Sequence, residues 1–464
     1  MITVVIRRWL PLLGLCVLLG AAVRQQLLPG TDNDAWFHLR MGSEFRTGWD
    51  IGDPGHLSRF DSADWVATQW LPQIGMAALV DAAGLGALLW AVGTLVLLLV
   101  CVVYLTCRRE ASPLPAALAT GLTYVAAAPG LGPRPQLLSY VLIAVFCAAW
   151  LQTMRDEKPR YWLVALAWLW PMLHGMWPVG VLMGTVAVAG MALRRQTPAR
   201  TLGRLALIPL LSLVLAGCTP LGLDVYRSLG AVGSRSSYVA EWASPSFSGL
   251  DTLPLLAMVA IVVVDGLRRG TVGWPEVLWL GLAIAWALYS VRTGPVAALM
   301  LAPLVARAVQ QLVPSVGPPS RRELAVVLGA AAVASAVLVP VAAQRVAAAV
   351  VPAWVDAHLD ALPAGTAVLD EWDFGPYLLW RHPDLHVVAH GYGDVFTPDE
   401  LARNAGIMRQ APGWREDVAG LDAEVALVDP DTALGYALLE DTERWELVES
   451  DDRFALLVPV DPQP

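Results

Sequence analysis

Long apolar runs broken by short charged clusters fill the chain up to residue 343, after which the pattern changes. About 20 mostly apolar residues cross a bilayer at 1.5 Å rise each. Eleven segments approach that pattern: 9–28, 84–107, 113–129, 135–154, 160–173, 176–193, 202–217, 252–267, 274–291, 295–312 and 323–343. The prediction is a polytopic α-helical membrane protein of about eleven transmembrane helices, the run at 160–173 being the shortest. Beyond it, "TAVLDEW", "HVVAH", "VALVDP", "WELVES" and "FALLVPV" read as short strands, with helical stretches near 397–409 and 433–441 among them. These predict a small C-terminal α/β domain over 344–464.

The expected organisation is a transmembrane domain, 1–343, with long external loops at 29–83 and 219–251, followed by that α/β domain. Loops longer than about 15 residues are usually functional or disordered. These two, rich in Trp, Gly, Pro and acids, are where chemistry is expected.

Charge sets the orientation, because Lys and Arg collect in cytoplasmic loops. With the N-terminus inside, Arg7-Arg8, Arg108-Arg109, Arg155/Lys158/Arg160, Arg194-Arg195/Arg200, Arg268-Arg269 and Arg321-Arg322 all fall on the cytoplasmic side. An odd number of spans then places 344–464 outside; with 23 acids and 7 arginines it has a formal balance of 7 − 23 = −16. An acidic exported domain excludes nucleic acid as a partner and leaves membrane lipid as the first one.

Composition agrees with this class: 464 residues, mean hydropathy +0.55, 56% hydrophobic and 15% charged. The run after Arg7-Arg8 reads as a retained anchor rather than a signal peptide, since many more runs follow and "AAVRQQLLPG" is a poor cleavage site. The five cysteines lie in or at the ends of apolar runs and imply neither disulfides nor a thiolate metal site. Ionisable residues avoid the span centres, Asp265 and Arg307 lying near cytoplasmic ends, which argues against a transporter.

Candidate chemistry gathers at the outer face. In "TDNDAWFHLR", Asp34 and His38 are four apart and share a helix face, although Thr31 with Asp34 also fits a capping box. The acids of "DIGDPGHLSRFDSADW", among them Asp61, read as solvated loop residues. Arg134 and Gln136 in "GPRPQLLSY" stand at an outer helix mouth, where a guanidinium either snorkels to headgroups or clamps a phosphate. His174 in "WLWPMLHGMWPVG" is a turn residue, either a structural hydrogen-bonder or a site group. Glu241 and Trp242 in "SSYVAEWASPSF" and Arg292 in "SVRTGP" complete the set. Acids, histidines and arginines on one side of a lipid slab suit a carboxylate base activating a hydroxyl while cations stabilise a departing phosphate.

In order along the chain, these motifs resemble a largely uncharacterised bacterial family of polytopic membrane proteins assigned to the GT-C glycosyltransferase superfamily. The matching stretches are Asp32 to Leu39, Arg134 to Gln136, His174-Gly175, Glu241 to Pro245, Arg292 and "LDEWDFGPYLLWR". The resemblance implies an inverting transfer of sugar from a polyprenyl-phosphate donor to a glycan or envelope-protein acceptor at the outer face of the cytoplasmic membrane. It implies Asp34 as base, with Asp32 second and His38 assisting. Arg134 and Arg292 would receive the lipid phosphate. His174, Glu241, Trp242 and Gln136 would shape the pocket or meet the acceptor. A divalent cation such as Mg or Mn is used by some relatives, and Asp32, Asp34 and Glu241 offer oxygen ligands for one. "TQWLPQ" stands where the family tends to have His-Glu-Trp, which keeps open a non-catalytic envelope protein that binds a polyprenyl lipid.

Overall fold

The computed structural model describes residues 2–25, 33–235, 242–247, 249, 252–346 and 351–460. The helices in chain order are α1 (Ile2–Gln25), α2 (Asp34–Thr47), α3 (Trp70–Arg108), α4 (Pro113–Ala127), α5 (Gln136–Asp156), α6 (Trp162–Leu173), α7 (Pro178–Arg194) and α8 (Ala199–Ala216). They continue with α9 (Asp224–Arg235), α10 (Leu253–Arg269), α11 (Trp274–Tyr289), α12 (Gly294–Gln310) and α13 (Arg321–Val346). The C-terminal part holds α14 (Ala353–Asp360), α15 (Gly375–Arg381), α16 (Pro398–Met408), α17 (Trp414–Ala419) and α18 (Ala433–Glu440). Its strands are β1 (Ala367–Asp370), β2 (His386–Val387), β3 (Val425–Val428), β4 (Trp445–Ser450) and β5 (Ala455–Pro459).

The chain forms two compact units: 1–30, 82–226 and 240–346 make a helical unit, and 31–81, 227–239 and 347–464 make an α/β unit. The hand-over at 81/82 lies near Gly84 in α3, where φ of 78° breaks the helix. That left-handed conformation costs glycine nothing and other residues about 1 kcal/mol or more.

In the helical unit, α12 packs against α4, α5, α10 and α11. Its residues Pro295 to Ala306 are all buried, because an apolar helix without a polar stripe hides every face. Within the described residues each of the eleven predicted apolar runs falls on a helix; residues 26–28 of the first lie outside them. Among the described residues, five helical stretches are long and apolar enough to cross a membrane: Trp70–Arg108, Gln136–Asp156, Ala199–Ala216, Val291–Gln310 and Arg321–Ala343. Arg108, expected as a cytoplasmic loop charge, is instead buried. It pairs bidentately with Glu323 in the first turn of α13 (Nε–Oε1 2.5 Å, Nη2–Oε2 3.1 Å), and Tyr104 donates to the same carboxylate at 3.0 Å.

In the α/β unit, a five-stranded sheet runs β2-β1-β3-β5-β4; β1 pairs in parallel with β2 and β3, and β5 is antiparallel to β3 and β4. Strands β1 and β3 are apolar and fully buried, as strands covered on both faces must be, whereas β4 is an exposed edge. Phe60, from the stretch after α1, sits in the same core as Leu369, Ala426 and Leu457.

The whole stretch 33–73 is sewn into this unit. Asn33 Nδ2 donates to the Asp373 carbonyl (2.9 Å), Arg40 to Pro383 (3.3 Å) and Ser58 Oγ to Val387 (2.7 Å). Ser62 Oγ donates to Glu400 (2.7 Å), and Trp36 of α2 stacks on Trp380 with ring centroids 4.8 Å apart. The expected long loop is therefore an ordered strap with two helical pieces, α2 and the start of α3.

Candidate functional site

Two groups of predicted site residues emerge, one in each unit. In the helical unit, α5 opens with Gln136, the turn after α6 carries His174, and a single 3-10 turn, Val291–Thr293, carries Arg292. Ser290 and Thr293 form a reciprocal capping box that fixes this turn. Three segments distant in sequence thereby meet. Arg292 Nε donates to Gln136 Oε1 at 2.9 Å, and its Nη2 lies 3.4 Å from His174 Nε2. Gln136, 2% exposed, spends its amide N–H on the Gly130 carbonyl (3.3 Å), which anchors one end of its side chain while the other holds the guanidinium. Trp242 is buried, and the carbonyl of its neighbour Ala243 accepts from Val291 N–H at 3.0 Å, which ties that segment to the Arg292 turn.

His174 is 4% exposed and faces donors on both sides. The Met176 N–H donates to Nδ1 at 3.2 Å, so the ring hydrogen of a neutral imidazole belongs on Nε2, the nitrogen that faces Arg292. Burial first, and then the charges of Arg292 and Arg134, hold this imidazole well below its usual pKa, so it stays neutral. Arg134 is half-buried and near enough for its charge to act on the ring. Arg292 has no carboxylate partner among the described residues. A neutral N–H and a half-buried guanidinium facing each other leave a place for an anionic oxygen that accepts from both.

In the α/β unit, α2 starts at Asp34, which makes Asn33 the N-cap residue, without a side-chain cap bond. The capping box expected from Thr31 is not the start of this helix, and Thr31 itself lies outside the described residues, as do Asp32 and Glu241. Asp34 is half-buried and stands against Gly391; a Cβ there would sit 3.2 Å from Asp34 Oδ1. His38, one turn on, is 3% exposed, with Nδ1 3.0 Å from the Gln73 amide nitrogen and its ring near Tyr392. It is packed, not open for proton traffic.

The segment following β2 was missed as a site element. His390 pairs with Asp61 at 3.1 Å, both side chains fully buried, and Asp61 also takes the Ser58 N–H (3.3 Å). Asp61 is thus no solvated loop acid: it fixes the turn that brings Gly391 to Asp34. Tyr392 packs on Phe37 and Trp65. The one available signal was a glycine-rich polar stretch, "AHGYGD", directly after a strand, where α/β folds place ligand loops. Asp370 is no solvated strand end either: Oδ1 accepts from Val388 N–H (2.8 Å) and Ala389 N–H (2.9 Å), and burial pushes the carboxyl well above its usual range.

Among the described residues, no three His, Cys, Asp or Glu side chains are grouped to hold a metal ion. Of the oxygen donors considered for a divalent cation, only Asp34 is described.

The chain has the fold of two solved kinds of protein, oligosaccharyltransferase and ArnT, which are GT-C-fold glycosyltransferases. It is similar to the crystal structure of the Archaeoglobus fulgidus oligosaccharyltransferase in the apo form (13% identity, 90% of this chain and 69% of that one, TM-score 0.53). It is also similar to ArnT from Cupriavidus metallidurans bound to undecaprenyl phosphate (15% identity, 97% and 98%, TM-score 0.51). A third likeness is to the archaeal oligosaccharyltransferase tethered with an acceptor peptide containing the NVT sequon (12% identity, 99% and 74%, TM-score 0.50). No known family and no curated protein matches the sequence.

Proposed function

We propose that the protein is a GT-C-type glycosyltransferase that moves a sugar from a polyprenyl-phosphate donor to an acceptor hydroxyl or amide at the outer face of a bacterial cytoplasmic membrane. The observation that carries this reading is the Arg292–Gln136–His174 cluster, whose donors converge without an acceptor between Arg292 and the imidazole. The undecaprenyl phosphate bound by the similarly folded ArnT supports a lipid phosphate as that acceptor, and the tethered peptide of the oligosaccharyltransferase supports an acceptor larger than water.

In this mechanism Asp34 takes the proton of the acceptor as it attacks the anomeric carbon, and the glycosidic bond to the lipid phosphate breaks on the opposite face, inverting the centre. Arg292, His174 Nε2–H and Arg134 stabilise the charge that grows on the departing phosphate. Gln136 acts as a positioning residue for Arg292, not as an acceptor contact, and His38 holds α2 against Gln73. Trp242 would border the acceptor side. No step is assigned to a divalent cation.

The test separates binding from chemistry. Undecaprenyl phosphate serves as the binding probe, and purified polyprenyl-phosphate sugars serve as donors for turnover. Asp34→Asn is expected to keep the lipid and lose turnover, and Arg292→Gln to lose the lipid. Turnover that survives both Asp34→Asn and Asp32→Asn removes the base assignment. Lipid binding without turnover for any donor in the parent favours the non-catalytic, lipid-binding alternative.

A further inference from the structure

Gly391 is an exposed residue in a turn whose neighbours on either side, His390 and Tyr392, are buried. Its backbone lies outside the left-handed region, so the path of the chain does not by itself require glycine there. Close main-chain packing does not require it either. A Cβ at Gly375 or Gly435 would run into the carbonyl oxygens of Ala389 and Asp429, whereas one at Gly391 meets, among the described residues, only Asp34 Oδ1 at 3.2 Å and Phe37 Cε1 at 3.6 Å. The missing side chain therefore bears on one thing, the approach to the Asp34 carboxylate.

The turn is held on both sides and cannot simply retreat from an added methyl. His390 Nε2 donates to Asp61 Oδ2 at 3.1 Å, its Nδ1 accepts the Tyr392 N–H at 3.4 Å, and the Gly393 N–H donates to the Gly391 carbonyl at 3.1 Å. Further on, the Ala63 N–H donates to the Val395 carbonyl at 2.9 Å. Phe37 is fixed as well, its ring centroid 4.4 Å from that of His38 and 4.9 Å from that of Tyr392. A side chain at 391 would either stand beside Oδ1 or turn the carboxylate aside. Each changes what can reach that oxygen.

We propose that Gly391 is a specificity-determining position for the acceptor: by placing no side chain beside Asp34 Oδ1, it admits a hydroxyl or amide carried on carbon, and a larger residue would favour water over such acceptors. The inference rests on Asp34 acting as the base. In that step the acceptor's proton passes to Asp34 Oδ1, its oxygen or nitrogen bonds to the anomeric carbon, and the bond from that carbon to the lipid phosphate breaks, the phosphate leaving with the electron pair. A hydroxyl hydrogen-bonded to a carboxylate at about 2.7 Å holds its own carbon roughly 3.5 Å from the carboxylate oxygen. That is the contact shell a Cβ at 391 would enter, and water brings no carbon into it.

Two measurements on the full chain test it. The first needs no turnover and decides alone if none is seen. Asp34→Cys puts a thiol in place of the carboxylate, and its labelling by methyl methanethiosulfonate and by a glucosyl methanethiosulfonate is followed by peptide mass spectrometry, which separates it from the five native cysteines. Adding Gly391→Ala is expected to slow the sugar-bearing reagent about tenfold and the methyl reagent much less. Gly406→Ala, where a Cβ makes only an ordinary 3.7 Å contact, is the control and should change neither. The second measurement offers water and glycerol as competing acceptors for polyprenyl-phosphate sugars. Gly391→Ala should lower the ratio of glycerol glycoside to free sugar about 10–200-fold, the worth of one methylene in a pocket, with undecaprenyl phosphate binding unchanged. Equal labelling by the sugar-bearing reagent with and without Gly391→Ala, or an unchanged product ratio, overturns the proposal. Turnover that survives both Asp34→Asn and Asp32→Asn defeats the base assignment instead, a result the labelling comparison cannot give, so the two failures are told apart.

Discussion

Two clusters of polar groups, one in each unit, are satisfied in opposite ways. In the helical unit, Arg292, His174 and Gln136 come together as an excess of donors, and the guanidinium meets only an amide oxygen and an imidazole. In the α/β unit two buried carboxylates are met by donors: Asp61 takes His390 and the Ser58 N–H, and Asp370 Oδ1 takes two backbone N–H groups. Buried polar atoms cost free energy unless paired. The Asp61 carboxylate is paired from within the unit, whereas Arg292 has no carboxylate partner among the described residues. On the proposed function, the difference separates side chains that hold the fold from side chains that would meet a ligand, a distinction that polarity alone does not make.

Four substitutions would break or sharpen that contrast. His390→Ala should have the largest effect on the scaffold, because it leaves Asp61 Oδ2 buried without its hydrogen-bond partner; a loss of about 1–3 kcal/mol is expected in denaturation of the purified protein. A loss under 1 kcal/mol would place His390 outside the scaffold. Arg292→Gln should cost turnover about 10²–10³-fold, roughly 2.7–4 kcal/mol of barrier, yet leave the unfolding midpoint unchanged or higher, since a half-buried charge with no carboxylate partner among the described residues is removed. A lower midpoint with normal turnover would reverse the roles of the two clusters. Gln136→Leu removes one partner from Arg292 and one from Gly130, and should weaken undecaprenyl phosphate binding by about 1–3 kcal/mol.

The smallest effect concerns pH. His174 is held neutral in the fold while an unfolded chain protonates near pH 6.5. Its folded pKa is lowered, so the unfolded state binds more protons below about 6.5, and stability falls as the pH drops from there towards the folded-state pKa. His174→Asn should remove that slope, at most about 1.4 kcal/mol per pH step, with no change above neutrality. Identical acid profiles for parent and variant would show that the imidazole is already charged in the fold.

Legibility in the sequence followed range. Apolar runs are local signals, and within the described residues all eleven fall on helices, although α3 begins at Trp70 rather than near 84. Its early turns carry Gln73 and Asp81 and serve α2 and Arg46 of the α/β unit, so they lack the apolar stripe of a span. All five strands were legible because apolar residues bounded by turn residues mark them. Helices α14, α15 and α17, of eight, seven and six residues, are too short to display a helical period. The meeting of Gln136, His174 and Arg292 was anticipated only as a convergence on one face. The pairing of Asp61 with His390, 329 positions apart, leaves no mark in either neighbourhood.

That separation also sets a timetable for biosynthesis. At about 5–20 residues per second, the ribosome needs roughly 15 to 65 seconds to deliver His390 after Asp61 has emerged. During that interval the strap already exposes Trp36, Phe37 and Phe60 with no sheet to receive them, while most of the hydrophobic helices are still being threaded into the bilayer. Maturation of the α/β unit therefore cannot be purely sequential: its oldest piece must be shielded until its youngest arrives, and a stalled or truncated chain would display that aromatic strap to proteases.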